Sequence, residues 1–193
     1  DAVSAGIGYL SEDRKHYGLA LGMDVRDNIA LASLGRHADA LGRIDERALA
    51  GIARDYIARL RIRTPHDRQP VRLLSGGNQQ KVVLAKWLFS GPDILILDEP
   101  TRGIDVGAKY EIYTIIRDLA AAGKSIIVIS SEMPELLGIT DRILVMNEGR
   151  LVGDMPTAEA TQERIMEIII TSGHSLTEEN VTPEEIEAEA AHV

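Results

Sequence analysis

Cysteine is absent from this chain of 193 residues, which excludes disulfides, thiolate metal sites and a cysteine nucleophile and fits a reducing compartment. No apolar run approaches the roughly 20 residues that a membrane span requires. The first residues, Asp1 to Gly8, lack the basic and apolar segments of a secretory signal. There is no initiator Met, and the chain opens on what reads as the middle of a strand, so it is expected to be a piece of a longer polypeptide. Basic clusters are missing too. The net charge is −9, but six acids and no Lys or Arg fall between His174 and Val193, leaving −3 on the first 173 residues. A near-neutral body is not a broad nucleic-acid-binding surface, so no nucleic-acid partner is expected. The five histidines (His16, His37, His66, His174 and His192) show no metal-ligand spacing and are expected at the surface.

What is present reads as a soluble α/β chain large enough for a core. Val3–Leu10 is a short apolar strand opening into the polar loop Ser11–Lys15. A helix is expected from Asp24, and a second after Asp45, where Leu49, Ile52, Ala53, Tyr56, Ile57 and Leu60 make one helical stripe. Ser75-Gly76-Gly77 opens a helix that runs to about Ser90. Ile94–Leu97 and Ser125–Ser130 read as strands buried on both faces, joined by a helix over about Val106–Ala122 with Gly123 past its end. Arg142–Met146 and Arg150–Asp154 flank a turn and read as a hairpin. A last helix is expected over about Thr161–Thr171, with a mobile acidic tail after Gly173.

Two stretches carry chemistry. Ile94–Leu97 is an apolar strand that delivers Asp98 and Glu99 to the carboxyl end of a parallel sheet, where open α/β folds bind ligands. There Asp98 can hold Mg²⁺ through water and Glu99 can polarise an attacking water in phosphoryl transfer. Taken alone, the pair reads more readily as a strand ending in a solvated acidic turn. Leu74-Ser75-Gly76-Gly77-Asn78-Gln79-Gln80-Lys81 places a hydroxyl and two Gly amides at a helix N-terminus, a terminus that favours anions. Taken alone, it also reads as an ordinary Ser-capped helix. Ser75 precedes Asp98 by 23 residues, with one helix between.

With both motifs in this order and spacing, the chain resembles the ABC ATPase family over roughly Ile7 to Asp154. Leu74–Gly77 matches the signature, Ile94–Pro100 the Walker B strand, and Thr101-Arg102-Gly103-Ile104-Asp105 the D-loop. Asn78-Gln79-Gln80-Lys81, the Thr101–Asp105 wording and Ser130-Ser131-Glu132 are similar to the second nucleotide-binding domain of monosaccharide importers, in which two such domains are fused. The resemblance implies an incomplete P-loop NTPase core with an α-helical insertion, using ATP and Mg²⁺. It implies Glu99 as the catalytic carboxylate, Ser75, Gly76, Gly77, Gln79 and Asp105 as ATP-binding residues, and Asp98 as the Mg²⁺ residue. The implied partners are the first nucleotide-binding domain, a membrane permease and, indirectly, an extracytoplasmic sugar-binding protein, with the ATPase peripheral on the cytoplasmic membrane face. The implied layout is a Q-loop region over 1–17, a helical subdomain over 18–73, a signature-to-switch core over 74–156, a C-terminal helix over 157–173 and the tail over 174–193. The apolar run Tyr17–Met23 is the candidate permease contact; a loop packed on its own helices is an equal reading. A nucleoside importer of the same family, a soluble non-transport ABC ATPase and a non-catalytic regulatory module are the alternatives.

The sequence departs from the family at three places. The switch position holds Glu132 where the family has His; a carboxylate lacks the N–H donor that imidazole offers a γ-phosphate. The Q-loop position holds Glu12, which keeps a possible Mg²⁺ contact and loses the amide donor. Plain solvated acids are an equal reading of both. The third departure is the phosphate loop itself. Gly123-Lys124-Ser125 follows a helix and precedes a strand, the reverse of the required order, and the first glycine position holds Asp118. A strand and a Gly-rich loop ending Lys-Ser or Lys-Thr are therefore expected on the N-terminal side of Asp1. The 193-residue chain alone is expected neither to bind Mg-ATP tightly nor to hydrolyse it, because phosphate affinity rests on that loop's backbone N–H groups and Lys. Calorimetric titration checks this; saturable micromolar binding, about −8 kcal/mol, would reveal a phosphate site elsewhere in the chain.

Overall fold

The computed structural model describes residues 2–36, 38–39 and 42–179. The chain divides into two units, Asp1–Ser131 and Glu132–Val193.

The first unit is built on three parallel strands, β1 (Ile7–Leu10), β2 (Ile94–Asp98) and β3 (Ser125–Ile129), in the order β1-β2-β3. Leu95 lies between Gly8 and Ile126 and Leu97 between Leu10 and Val128, so these residues share one face. Leu10, Leu95 and Leu97 are wholly buried there. The opposite face carries Tyr9, Ile127 and Ile129, each about half exposed. The expectation of strands buried on both faces therefore holds for one face only. The helices α3 (Gly76–Phe89) and α4 (Val106–Ala121) pack against β1 and β3 respectively, and alternation of side chains leaves the other face uncovered among the described residues. Apolarity on both faces is what parallel strands show, and it does not reveal which face is covered. β1 is also shorter than expected: Gly6, at φ +74, closes a turn onto Val3, and the strand starts at Ile7.

Long connections leave β1. A π-helical turn over Arg14–Gly18 is capped by Asp13, whose carboxylate accepts from the N–H groups of Lys15 and His16. This ordered turn stands where a polar loop was expected, because the Asp13 cap satisfies its free N–H groups. Helix α1 (Val25–Ala30) is capped by Asp24 and α2 (Glu46–Arg59) by Asp45. Asn28, wholly buried on α1, accepts from the Ala20 N–H and donates to the Ala20 and Asp24 carbonyls. It thereby fixes the 19–23 loop on the helices.

Helix α3 is enclosed nearly all round. Val82, Val83, Leu84 and Ala85 are consecutive and fully buried, which a one-sided amphipathic helix cannot achieve. Each of the Val and Leu side chains contributes about 1.5–3 kcal/mol when fully buried. Two lysines are buried with it. Lys81 Nζ donates to Glu111 Oε2 on α4 at 2.5 Å and to the Arg61 carbonyl at 3.0 Å. That hydrogen bond holds the Glu111 carboxyl below the usual carboxylate range. Lys86 Nζ donates to the Gly18 carbonyl at 2.5 Å, and burial pushes its amine pKa down. The helix α4 ends as expected. The Gly123 N–H, at φ +86, donates to Ala120 and the Lys124 N–H to Leu119, so Gly123-Lys124 is a helix C-terminal motif and no phosphate loop.

The second unit is a hairpin of β4 (Arg142–Asn147) and β5 (Arg150–Pro156) with helices α5 (Met133–Ile139) and α6 (Gln162–Glu179). Glu148 and Gly149, both at positive φ, make its two-residue turn. Ile143, Val145, Met155 and Ile165 form the buried cluster. Helix α6 runs to Glu179, past the Gly173 where the sequence suggested a mobile tail, since one Gly costs a long helix only about 1 kcal/mol. The rest of the acidic tail lies outside the described residues. Of the histidines, His16 and His66 are exposed; the side chains of His37, His174 and His192 lie outside the description.

The start of α3 meets α4 without room for a side chain. A Cβ added at Gly77 would lie 2.5 Å from the Ala108 Cβ, well inside van der Waals contact. Gly77→Ala is expected to destabilise the chain by about 1–3 kcal/mol through overpacking. Ala108→Gly in the same molecule should recover about 1 kcal/mol or more of that loss, against the helix-propensity cost it carries alone. Urea unfolding of the two single variants and the double variant measures the coupling; strictly additive effects would show that this contact is not the constraint.

Candidate nucleotide site

The carboxyl end of β2 is bent sharply. Asp98 is the last strand residue, and Glu99 takes a left-handed backbone, φ +46, that a non-glycine residue rarely adopts. The Glu99 N–H donates to the Ile129 carbonyl at 2.8 Å, and Glu99 Oε1 accepts from the Ser131 N–H at 2.7 Å. Backbone and side chain are thus both fastened to the end of β3. The Arg102 N–H donates to the Glu99 carbonyl at 3.1 Å and closes the turn over 99–102. Asp98 Oδ2 accepts from the Tyr9 hydroxyl at 2.6 Å on the exposed sheet face. That bond to a carboxylate raises the tyrosine pKa, so the hydroxyl keeps its proton as donor.

A second grouping lies where α3 and α4 begin. Ser75, Gly77 and Asp105 line one cleft of about 140 Å³ together with Arg63, Asn78, Gly107, Ala108 and Glu111. Ser75 is the N-cap of α3 by position, but its hydroxyl accepts from Asn78 Nδ2 at 2.9 Å and caps no backbone N–H. Asn78 Oδ1 in turn accepts from the Arg63 N–H at 2.8 Å. The first N–H groups of α3 keep no intrahelical partner, as at any helix start. Asp105 caps α4 by accepting from the Ala108 N–H at 2.9 Å. Gly76 sits beside this cleft, where a Cβ would lie 2.9 Å from Arg14 Nη2 and 3.4 Å from the Gly103 carbonyl oxygen. Packing within this chain excludes a side chain at Gly77, whereas at Gly76 it is the end of the Arg14 side chain that would have to give way.

The remaining expected residues are placed apart from these groupings. Gln79 points inward, nearly buried, and its amide donates to the Val71 carbonyl at 3.3 Å. Glu12 is ion-paired with Arg102 in a separate cleft of about 300 Å³ lined by Glu12, Asp13, Arg14, Lys15, Arg102 and Gly103. Glu132 belongs to the second unit, where it occupies the N-cap position of α5. Among the described residues, no three His, Asp or Glu side chains converge as a metal cage. The sequence reading did not single out Tyr9 or Arg14, and it quoted Arg102 and Ser131 within motifs without giving them a role. Tyr9 was within reach once strand register was known, since side-chain alternation sets it on the Asp98 face. The arginines carried no comparable signal.

Comparison with known proteins places the chain. Over 168 residues it is 60% identical to a ribose/galactose/methyl galactoside import ATP-binding protein of Burkholderia cenocepacia, a match spanning 87% of this chain and 33% of that protein. It is 52% identical over 170 residues to the ribose import ATP-binding protein RbsA of Clostridium perfringens, spanning 88% of this chain and 34% of the relative. The chain thus spans about a third of the length of these curated relatives. Among solved structures, an inward-facing ABC transporter of metal-chelate type superposes with TM-score 0.71 at 17% identity, covering 86% of this chain and 64% of the other. A dimeric ATP-binding cassette in a post-hydrolysis state with ADP and Pi gives TM-score 0.67 at 20% identity, covering 78% and 62%. Likeness at that identity speaks for the shared α/β fold alone. The ABC transporter family model matches residues 1–102, more than half of the sequence, and the chain belongs to that family.

Proposed function

We propose that this chain is part of the ATP-hydrolysing subunit of a monosaccharide importer. The observation that carries the reading is Glu99: a strained carboxylate at the end of a parallel strand, fastened by main chain and side chain to the neighbouring strand. With Oε1 held by Ser131, Oε2 is the oxygen that takes a proton from an attacking water, the role of a general base in phosphoryl transfer. Asp98, adjacent and half-exposed, would hold Mg²⁺ through water. Its Oδ2 accepts a hydrogen bond from the Tyr9 hydroxyl, and carboxylate oxygen is the ligand type that Mg²⁺ takes. The ion would neutralise charge building on the phosphate oxygens.

The split of the site supports division of labour between two nucleotides. Asp98 and Glu99 serve ATP held by a phosphate loop of the same domain. Ser75, Gly76, Gly77 and Asp105, at the helix N-termini in and beside the second cleft, complete the site of a partner nucleotide-binding domain. Gln79 supports this from behind by fixing Val71. By sequence, Glu132 stands where the family has its switch His, and it offers charge in place of an N–H donor. The sugar class is drawn from the names of the relatives, which are ribose and galactose import ATP-binding proteins. A permease, and through it an extracytoplasmic binding protein, are the corresponding partners, with this subunit peripheral on the cytoplasmic face. Among the described residues no helix is long and apolar enough to cross a membrane. In the loop proposed to face the permease, Leu19 is buried and Tyr17 is 80% exposed, so Tyr17 is the contact.

The test is Glu99→Gln in the native polypeptide that carries this chain, with turnover read at the site to which Glu99 belongs. The exchange keeps shape and removes the base, so turnover there is expected to fall about 100-fold or more, with ATP binding retained. Uptake of ribose and galactose by cells carrying the variant should fall in parallel. Unchanged turnover would remove Glu99 from the chemistry, and intact ATPase with no sugar among those transported would remove the substrate assignment.

A further inference from the structure

The cleft lined by Glu12, Arg14 and Arg102 has no role in the function proposed above, yet it joins three of its motifs. Arg14 Nη1 donates to the Arg102 carbonyl at 3.0 Å. Its Nη2 lies so close to the backbone of Gly76 that a Cβ there would approach it to 2.9 Å, and its Nη1 lies 3.9 Å from the same point on Gly103. Glu12 is ion-paired with the Arg102 guanidinium. Arg102 in turn donates its N–H to the Glu99 carbonyl. Two hydrogen bonds therefore separate the Arg14 side chain from the backbone of Glu99. Arg14 Nε is buried with no partner. A surface arginine free to turn would hydrate that group; this one is held by its surroundings, because an unpaired buried donor is costly.

We propose that Arg14 is a positioning residue for Glu99. Its guanidinium clasps the far end of the 99–102 turn against the start of α3, and the Glu12–Arg102 ion pair closes the clasp from outside. The turn needs such a clasp. Glu99 is in a backbone conformation that costs energy, and it persists only where the surroundings over-determine it. Hydrogen bonds to Ile129 and Ser131 fix its β3 side, and the Arg102 N–H is the bond on its other side. Arg14 holds the residue that makes that bond. The clasp also accounts for Glu12: its carboxylate balances Arg102, and the glutamate acts through the turn and not as a Mg²⁺ ligand.

The proposal rests on the assignment of Glu99, and two measurements on the native polypeptide separate them. The first is amide hydrogen exchange in Arg14→Ala and Arg14→Lys. Arg14→Ala should speed exchange across residues 99–103 about tenfold, with peptides of α2 unchanged, and Arg14→Lys, which retains a donor but no fork, should restore part of the protection. Exchange at the wild-type rate, or equal loosening of α2, overturns the proposal whatever Glu99 does. The second is steady-state ATP turnover. Arg14→Ala should lower kcat about tenfold with KM within twofold, since the bond acts on the base and not on nucleotide affinity. If exchange loosens and Glu99→Gln is damaging but the Arg14→Ala kcat is unchanged, the clasp does not position Glu99 and the proposal fails. If Glu99→Gln is silent while 99–103 loosens, the clasp stands and the assignment of Glu99 falls.

Discussion

Everything in the first unit is arranged around the close approach of α3 to α4. Gly77 at the head of α3 leaves only the Ala108 methyl between that helix and α4, so the two helices approach closely there. From that contact α3 runs back through the unit with almost no exposed surface, beside α1, α2, α4 and β1. A helix so enclosed cannot rotate to admit a bulkier residue, and interiors at native density transmit such a change instead of absorbing it. The loop that leads into α4 and the strand that precedes it inherit their positions from this packing. Lys81 with Glu111 and Lys86 with Gly18 then tie the same helix to its neighbours through two lysines whose side chains are buried.

The residues proposed to act on nucleotide fall in two places that the chain keeps separate. One is the turn after β2, where strain is concentrated in a single residue and surrounded by hydrogen bonds. The other is the pair of helix starts, where the first N–H groups lack intrahelical partners and, among the described residues, the Ser75 hydroxyl is hydrogen-bonded to the neutral Asn78 amide. Arg63 comes near this cleft but is engaged with Glu111 at 3.1 Å. A site of this kind completes a phosphate cradle without holding a nucleotide by itself. The separation is consistent with a machine in which every nucleotide is shared between domains.

Much of this was legible in the residues. The β2 strand with its two carboxylates, the Asp24, Asp45 and Asp105 helix starts, and the Gly123 ending follow from local rules, because caps and C-terminal glycines act within a turn of their own position. The hairpin turn was legible for the same reason. What depended on distant partners was not. Ile127 and Ile129 look like core residues, yet one face of the sheet is uncovered; composition cannot say which neighbours arrive. Gln79 follows the signature in sequence but turns inward to Val71, because the helical period at that point faces the core. Glu12 looked like a possible metal ligand until Arg102, ninety residues away, was found beside it. Helix α5 went unremarked, since seven residues with Pro at the start give no extended periodicity.

The left-handed backbone at Glu99 has a consequence for how this chain can evolve. A β-carbon in that region costs roughly 1–2 kcal/mol relative to glycine, so backbone conformation alone favours a residue at position 99 that could do no chemistry. If Glu99 is the base proposed above, selection for hydrolysis retains the glutamate against that backbone preference. In a lineage where the partner site alone drives the machine, that selection lapses and stability pulls the position toward Gly or Asn. The identity of this one residue would then serve as a record of whether the site is still working.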